Sequence, residues 1–202
     1  MPRRGIPGKS TAPRVRKDER APGAAGAAVV VLRAVNVGGH GTVRTKEIPA
    51  KLSGLTAVNI GAAGTFVVRD APSPPRLRKA FRAALGFDTD VIVRSGPEVL
   101  ALRNATPESW SGDDADVRRY VTFLAADPVR RPRLPLALPD EATWEVRLDD
   151  EVGSDVRSSS RRRGDRRLLY PNEAVEREYG VPSTTRGWET LERIWNLLEV
   201  SP

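Results

Sequence analysis

The sequence predicts an α+β fold built from two ferredoxin-like subdomains, antiparallel sheets with packed helices. Residues 29–95 run in the order β-α-β-β-α-β, which is the ferredoxin-like unit. Its segments switch between short β-branched runs and helical spacing of apolar residues. The remainder mixes strands and helices in similar amounts, which allows a duplicated architecture, although no repeat is visible residue by residue. The expected organisation is a disordered basic tail at 1–28, a first subdomain at 29–95 and a second at 96–202.

Each element has its own signal. VVVLRAV is β-branched and apolar and reads as a buried strand. Gly38, Gly39 and Gly41 punctuate it. RTKEIPAKLSGL reads as a short helix before Gly54, with Pro49 tolerable in its first turn. TAVNIGA and GTFVVRD flank Ala63-Gly64 as adjacent strands. PSPPRLRKAFRAALGF has Pro at its start, Leu77, Ala80, Phe81, Ala84 and Leu85 at helical spacing, and Gly86 at its end. TDVIVRS is a strand and GPEVLALRNA a helix. RRYVTFLAA is a strand, and residues 127–140 form a proline-rich loop. ATWEVRLDDE and RRLLYP read as strands, with RSSSRRRGDRR between them as a solvated hairpin loop. NEAVEREYG is a helix. TTRGWETLERIWNLLEV is another, with Thr184 and Thr185 as hydroxyl caps and Trp188, Leu191, Ile194, Trp195 and Leu198 on one face.

Composition narrows the chemistry. The 202 residues include no cysteine and one histidine, His40. Disulfides, thiolate nucleophiles and Cys-ligated zinc are excluded, and a single histidine with carboxylates is a poor zinc set. No metal site and no cofactor is expected. No apolar run approaches the ~20 residues that span a bilayer, and the basic N-terminus lacks a compact apolar stretch. The expected location is the cytoplasm. Of the net charge of +7, residues 1–28 hold +5. Such a tail is expected to bind polyanions weakly and in a salt-dependent way.

The candidate sites follow from charge and turn chemistry. Gly38-Gly39-His40-Gly41 lacks the Gly-Lys-Ser/Thr ending of a Walker A loop and the spacing of a dinucleotide fingerprint. Two readings remain: a turn that needs positive φ, or a seat for an anion on free backbone N–H groups. The anion reading recruits Arg33, Asn36, Arg44 and Lys46. A second anion candidate is Thr184 with Arg186, near a helix start. Arg157, Arg161, Arg162 and Arg163 are candidate phosphate contacts to nucleic acid, with no interleaved aromatic to stack bases. Phe66 reads as core rather than as a base-stacking platform. Asp113, Asp114 and Asp116, and Asp149, Asp150 and Glu151, read as solvated surface.

LRAVNVGGHGTV, GTFVV, DTDVIVRS, NATP, VTFLAADP and NEAVEREYGVPSTTRGWETLERI, in that order, resemble the bacterial domain-of-unknown-function 1697 family over roughly residues 29–198. The resemblance implies two ferredoxin-like subdomains that share strands, and no established activity. Ala62, Ala63, Gly64 and Thr65 stand where the family usually has Gln-Ser-Gly-Asn, His40 where it has Lys, Leu168-Leu169 where it has Ser-Lys, and Gly187 where it has Asn. Most of these changes remove polar groups. The functional expectation is a binding module for an anionic ligand, nucleic acid or a phosphorylated small molecule. The alternatives are an enzyme acting on a phosphorylated or acidic small molecule, and an interaction domain without a ligand.

Overall fold

The computed structural model describes residues 24–36, 43–104, 115–164 and 166–200. Two antiparallel sheets carry the fold. The first contains β1 (Ala28–Leu32), β2 (Thr56–Asn59), β3 (Thr65–Arg69) and β4 (Val91–Ser95) in the order β2-β3-β1-β4. A 3-10 turn (Thr45–Glu47) leads into α1 (Ile48–Lys51), and α2 (Pro74–Leu85) joins β3 to β4. That order and connectivity is the ferredoxin-like unit. The helix α3 (Gly96–Ala101) follows β4 directly.

The second sheet contains β5 (Val117–Leu124), β6 (Leu136–Leu138), β7 (Val146–Val152), β8 (Asp155–Arg161) and β9 (Ser183–Gly187) in the order β6-β7-β8-β5-β9. With β6 set aside as an added edge, β7-β8-β5-β9 repeats the first order. The helix α4 (Asn172–Tyr179) joins β8 to β9, and α5 (Trp188–Glu199) follows β9 as α3 follows β4. No strand is common to both sheets among the described residues, which departs from the strand sharing that the resemblance implied.

The core lies in three parts. Val30, Leu32, Phe66 and Val68 pack against Leu77, Phe81 and Leu85 of α2, and Phe66 meets Phe81 edge-on at 5.1 Å. The opposite face of the first sheet, through Val29, Val31, Val67 and Ile92, packs with Val121, Phe123, Leu191, Ile194, Trp195 and Leu198. This middle layer joins the two halves, so neither buries its apolar surface alone. On the far side Leu148 and Val156 pack on Val175 and Tyr179 of α4. The local signals are consistent with these positions. Ser95 Oγ accepts from the Glu98 N–H while Glu98 accepts from the Ser95 N–H, a reciprocal cap on α3. Gly86 and Gly180 close α2 and α4 with φ of 74° and 72°.

Four sequence expectations are corrected. RSSSRRRGDRR is not a solvated loop at its start: Asp155–Arg161 is the internal strand β8, paired with β5 and β7, and Arg157 is 2% exposed. Its polar side chains are tolerated because both flanking strands satisfy its backbone and Asp150 neutralises Arg157. RRLLYP forms no strand; its main chain runs between β8 and α4 without ladder pairing. The loop at 127–140 contains the short strand β6. The packed chain begins before residue 29: Ala24 and Ala27 are buried, and the Ala24 carbonyl lies where a side chain on Gly96 would stand. Small residues pack wherever two backbones approach, which an apolar-run criterion misses.

Tyr179 supplies a pH test of this packing. Its hydroxyl donates to Glu151 Oε1 at 2.8 Å, and burial pushes its pKa up from 10 to about 12. Above pH 10 the unfolded chain releases this proton while the folded chain keeps it, so stability falls between pH 10 and 12. The Tyr179→Phe variant is expected to lose about 1–2 kcal/mol of that alkaline decline, screened by solvent near the hydroxyl. Parallel urea titrations of both proteins at pH 8 and pH 11.5 measure the difference.

Candidate functional site

The site is built where β9 meets the end of β1. Thr184, Thr185 and Arg186 lie in β9, antiparallel to β5. They are strand residues, not the caps of α5, whose N-cap is Gly187 with no side-chain capping bond. Two consecutive β-branched threonines before the Arg favour extended backbone over a helical start.

Arg186 is 6% exposed at the junction of the two sheets. Its Nε donates to Thr65 Oγ1 at 2.7 Å. Nη1 donates to Thr184 Oγ1 at 2.8 Å and to the Thr185 carbonyl at 2.9 Å. Nη2 donates to the carbonyls of Leu32 at 2.9 Å and Ala63 at 2.7 Å. All five guanidinium donors thus meet neutral oxygens. No carboxylate among the described residues pairs with it, and burial draws its pKa down to about 10. It therefore stays positive at neutral pH, in a place where charge is poorly screened.

Beside Arg186 opens a cleft of about 970 Å³. Its walls are Leu32–Val35 at and beyond the end of β1, Ala63 before β3, Ser183–Arg186 of β9, part of α4 with Glu173 and Glu176, residues 167–170, and Leu138, Pro139, Glu145 and Val146 at the β6–β7 edge. Arg33 lines it but is already paired. Its Nη2 lies 3.1 Å from Glu176 Oε1, and its Nε donates to the same oxygen and to the Ser183 carbonyl, each at 3.2 Å. Glu176 Oε1 also accepts the Ser183 N–H at 2.7 Å. This closed set fixes α4 against β1 and β9. Ser183 is 2% exposed, and its hydroxyl has no hydrogen-bond partner. Arg167, exposed on the rim, makes no ion pair among the described residues, and Tyr170 beside it is 59% exposed.

The other sequence candidates fall in different places. Asn36, with φ of 58°, accepts the Val43 N–H at 2.9 Å and donates to the carbonyls of Val43 at 3.0 Å and Ala62 at 2.8 Å. It clamps the two ends of the glycine stretch together. Gly38, Gly39, His40 and Gly41 lie outside the described residues. Arg44 is exposed and paired with Glu47 at 3.2 Å, and Lys46 is exposed; neither lines the cleft.

Arg157 donates to Asp150 and to the carbonyls of Leu102 at 3.2 Å and Asn104 at 2.9 Å, which ties α3 to the second sheet. It is spent inside the protein and cannot meet a phosphate. Arg161 stacks over the Trp144 ring at 4.2 Å, Arg162 is exposed, and Arg163 donates to the Ala142 carbonyl at 2.8 Å. Of the acidic run expected on solvated surface, Asp149 is 6% exposed and accepts from Ser159 at 2.9 Å, while Asp150 and Glu151 are half-buried, Asp150 holding Arg157 and Glu151 accepting from Tyr179. Of the other acidic cluster, Asp113 and Asp114 lie outside the described residues, and Asp116 is exposed.

Arg33, Thr184 and Arg186 are therefore the candidates that the fold brings together. Ser183, Thr65, Arg167 and Tyr170 were missed. A lone serine or threonine in a short strand carries no signal until its partners are known. Among the described residues, no cluster of three or more His, Cys, Asp or Glu side chains could hold a metal, and no helix is long and apolar enough to cross a membrane.

Comparison with known proteins adds a family and a fold. No curated protein matches the chain. The architecture is similar to that of a conserved bacterial protein from Streptococcus pneumoniae, with a TM-score of 0.53 at 16% identity, over 85% of this chain and 98% of that one. At that identity the likeness concerns the fold alone. The family described as "Protein of unknown function (DUF1697)" matches residues 26–152, which hold the whole first sheet and the second as far as β7. With more than half of its length matched, the chain belongs to the family of proteins of unknown function DUF1697.

Proposed function

We propose that the chain is a binding module for a small anionic ligand, held in the cleft beside Arg186. The observation that carries this reading is a buried guanidinium at the cleft wall with no carboxylate to offset it. A buried unpaired charge is costly, and an oxyanion in the cleft lowers that cost. The volume of about 970 Å³ suits a small molecule rather than a polymer. With Arg157 committed internally, nucleic acid is left to the basic segment at 1–28, for which we propose weak binding that falls steeply with salt.

A thermal-shift comparison of the full chain tests the reading. The probes are inorganic phosphate, adenosine monophosphate, succinate and neutral adenosine, all at physiological salt. A bound anion at a hundredfold excess over Kd adds about 2.7 kcal/mol, which raises Tm by on the order of 5 °C in a chain of this size. At least one anionic probe is expected to give a saturable rise that adenosine does not. Equal shifts with adenosine and its monophosphate, or no shift with any anion, would sink the proposal.

A further inference from the structure

The strand registers reveal a duplication that the sequence conceals. In the first sheet Val31 faces Thr65 and Leu32 faces Val91. In the second Phe123 faces Asp155 and Leu124 faces Ser183. Matching β1 to β5 by their last residues makes Thr65 equivalent to Asp155, and Val91 equivalent to Ser183. Three residues further along, Arg94 of β4 is equivalent to Arg186 of β9. Each arginine immediately precedes the N-cap of the helix that follows, Ser95 for α3 and Gly187 for α5.

The two arginines do the same mechanical work. Arg94 reaches into the second sheet, where its Nη2 donates to the carbonyl at the end of β5, Leu124, at 2.8 Å. Arg186 reaches into the first sheet, where its Nη2 donates to the carbonyl at the end of β1, Leu32, at 2.9 Å. The Nε of each meets the residue that starts the third strand of the opposite unit. For Arg94 that residue is Asp155, with both carboxylate oxygens within 3.1 Å. For Arg186 it is Thr65.

Two substitutions thus separate the halves. Around Arg94 the fold supplies a carboxylate, Asp155; the equivalent of Ser183, Val91, is apolar and packs in the core on the other face of β4, 4% exposed. Around Arg186 it supplies a neutral hydroxyl, Thr65; the buried hydroxyl without a partner, Ser183, lines the cleft from the other face of β9, the face turned to α4. The junction that lacks the carboxylate is the one whose arginine lines the cleft. Resting on the binding reading above, we infer that a phosphate or carboxylate group of the ligand supplies the charge that Asp155 supplies in the other half. Thr65 determines that specificity by keeping the Arg186 charge unbalanced. Ser183 Oγ–H donates to the bound oxyanion. Because all five Arg186 donors are occupied, the arginine acts on the ligand through its field rather than by a fork of hydrogen bonds.

The test is to make the first half resemble the second. Thr65→Asp places a carboxylate at Arg186 Nε. With no anion present it is expected to melt above the parent. Its affinity for inorganic phosphate and for succinate, measured by calorimetry on the full chain, is expected to fall at least about tenfold through like-charge repulsion and loss of the unbalanced cation. Thr65→Asn, neutral and of similar size to aspartate, is expected to stay within about threefold of the parent. The phosphate and succinate arms tell which oxyanion the cleft prefers.

Parent-like affinity in Thr65→Asp would overturn the inference while leaving the anion cleft standing. Failure of every anion to bind the parent would remove both. Should Thr65→Asp not fold, Ser183→Ala decides: an unchanged Tm with several-fold weaker phosphate or succinate binding supports the placement beside β9, and unchanged affinity overturns it.

Discussion

Replacing Asp155 with alanine is expected to lower the unfolding free energy by about 3–5 kcal/mol, because it strands a guanidinium between two sheets. Arg94 and Asp155 have side-chain exposures of 12% and 4%, and their closest approach is 2.7 Å. Arg94 also donates to the Leu124 carbonyl, so it cannot swing out to water without breaking a contact at the end of β5. The loss would take a third or more of the stability of an ordinary domain. Urea unfolding should show it as a lower midpoint at unchanged slope. Burial pushes the Asp155 carboxyl up, against the pull of Arg94. Desolvation therefore outweighs the attraction, and the pair is not a strong net stabiliser. A paired replacement, Arg94→Met with Asp155→Leu, is accordingly expected to recover most of the loss. A double variant as weak as Asp155→Ala would show that the carboxylate does more than offset Arg94.

The legibility of the fold in the sequence depended on whether an element's partners were local. The helix α2 was readable because Pro, the Leu77-Phe81-Leu85 spacing and Gly86 all lie within it. The strand order of the first sheet followed from β-branched runs and one short turn. By contrast β8 carries no apolar alternation, and its Arg157 and Ser159 are made tolerable by Asp150 and Asp149 of the neighbouring strand. Composition alone assigns such a segment to solvent. The duplication was invisible for a related reason. Register relates Thr65 to Asp155 and Val91 to Ser183, pairs with no chemical likeness. For the candidate site, resemblance to the family drew attention to Arg186, and a basic residue near the glycine stretch drew attention to Arg33. What neither could supply was the charge balance. Arg33 is neutralised by Glu176, 143 residues away, whereas Arg186 meets only neutral oxygens. On the binding reading proposed above, that difference singles out Arg186, and it exists only in the folded chain.

Arg186 itself should prove indispensable to the fold, and its variants separate two costs. Methionine at 186 removes the buried charge but leaves the carbonyls of Ala63 and Thr185 without their Arg186 donors and that of Leu32 with the Thr184 hydroxyl alone, at 3.5 Å. Each orphaned buried acceptor costs about 1–3 kcal/mol, and relief of the unpaired charge offsets part of the sum. A net loss of about 2–4 kcal/mol is expected for Arg186→Met. Lysine keeps the charge but offers three donors where five oxygens wait, and its ammonium is more strongly hydrated than a guanidinium. Arg186→Lys is therefore expected to be at least as destabilised as Arg186→Met, although it is the chemically closer replacement. Denaturant midpoints for the two variants give the order directly. If lysine were tolerated within about 0.5 kcal/mol, the forked geometry would not matter and the arginine would be acting as a simple point charge. If methionine were neutral, the acceptors would be finding water from the cleft, and the join between β1 and β9 would rest on the Arg33–Glu176–Ser183 set and the apolar layer of Val31, Phe123 and Leu191.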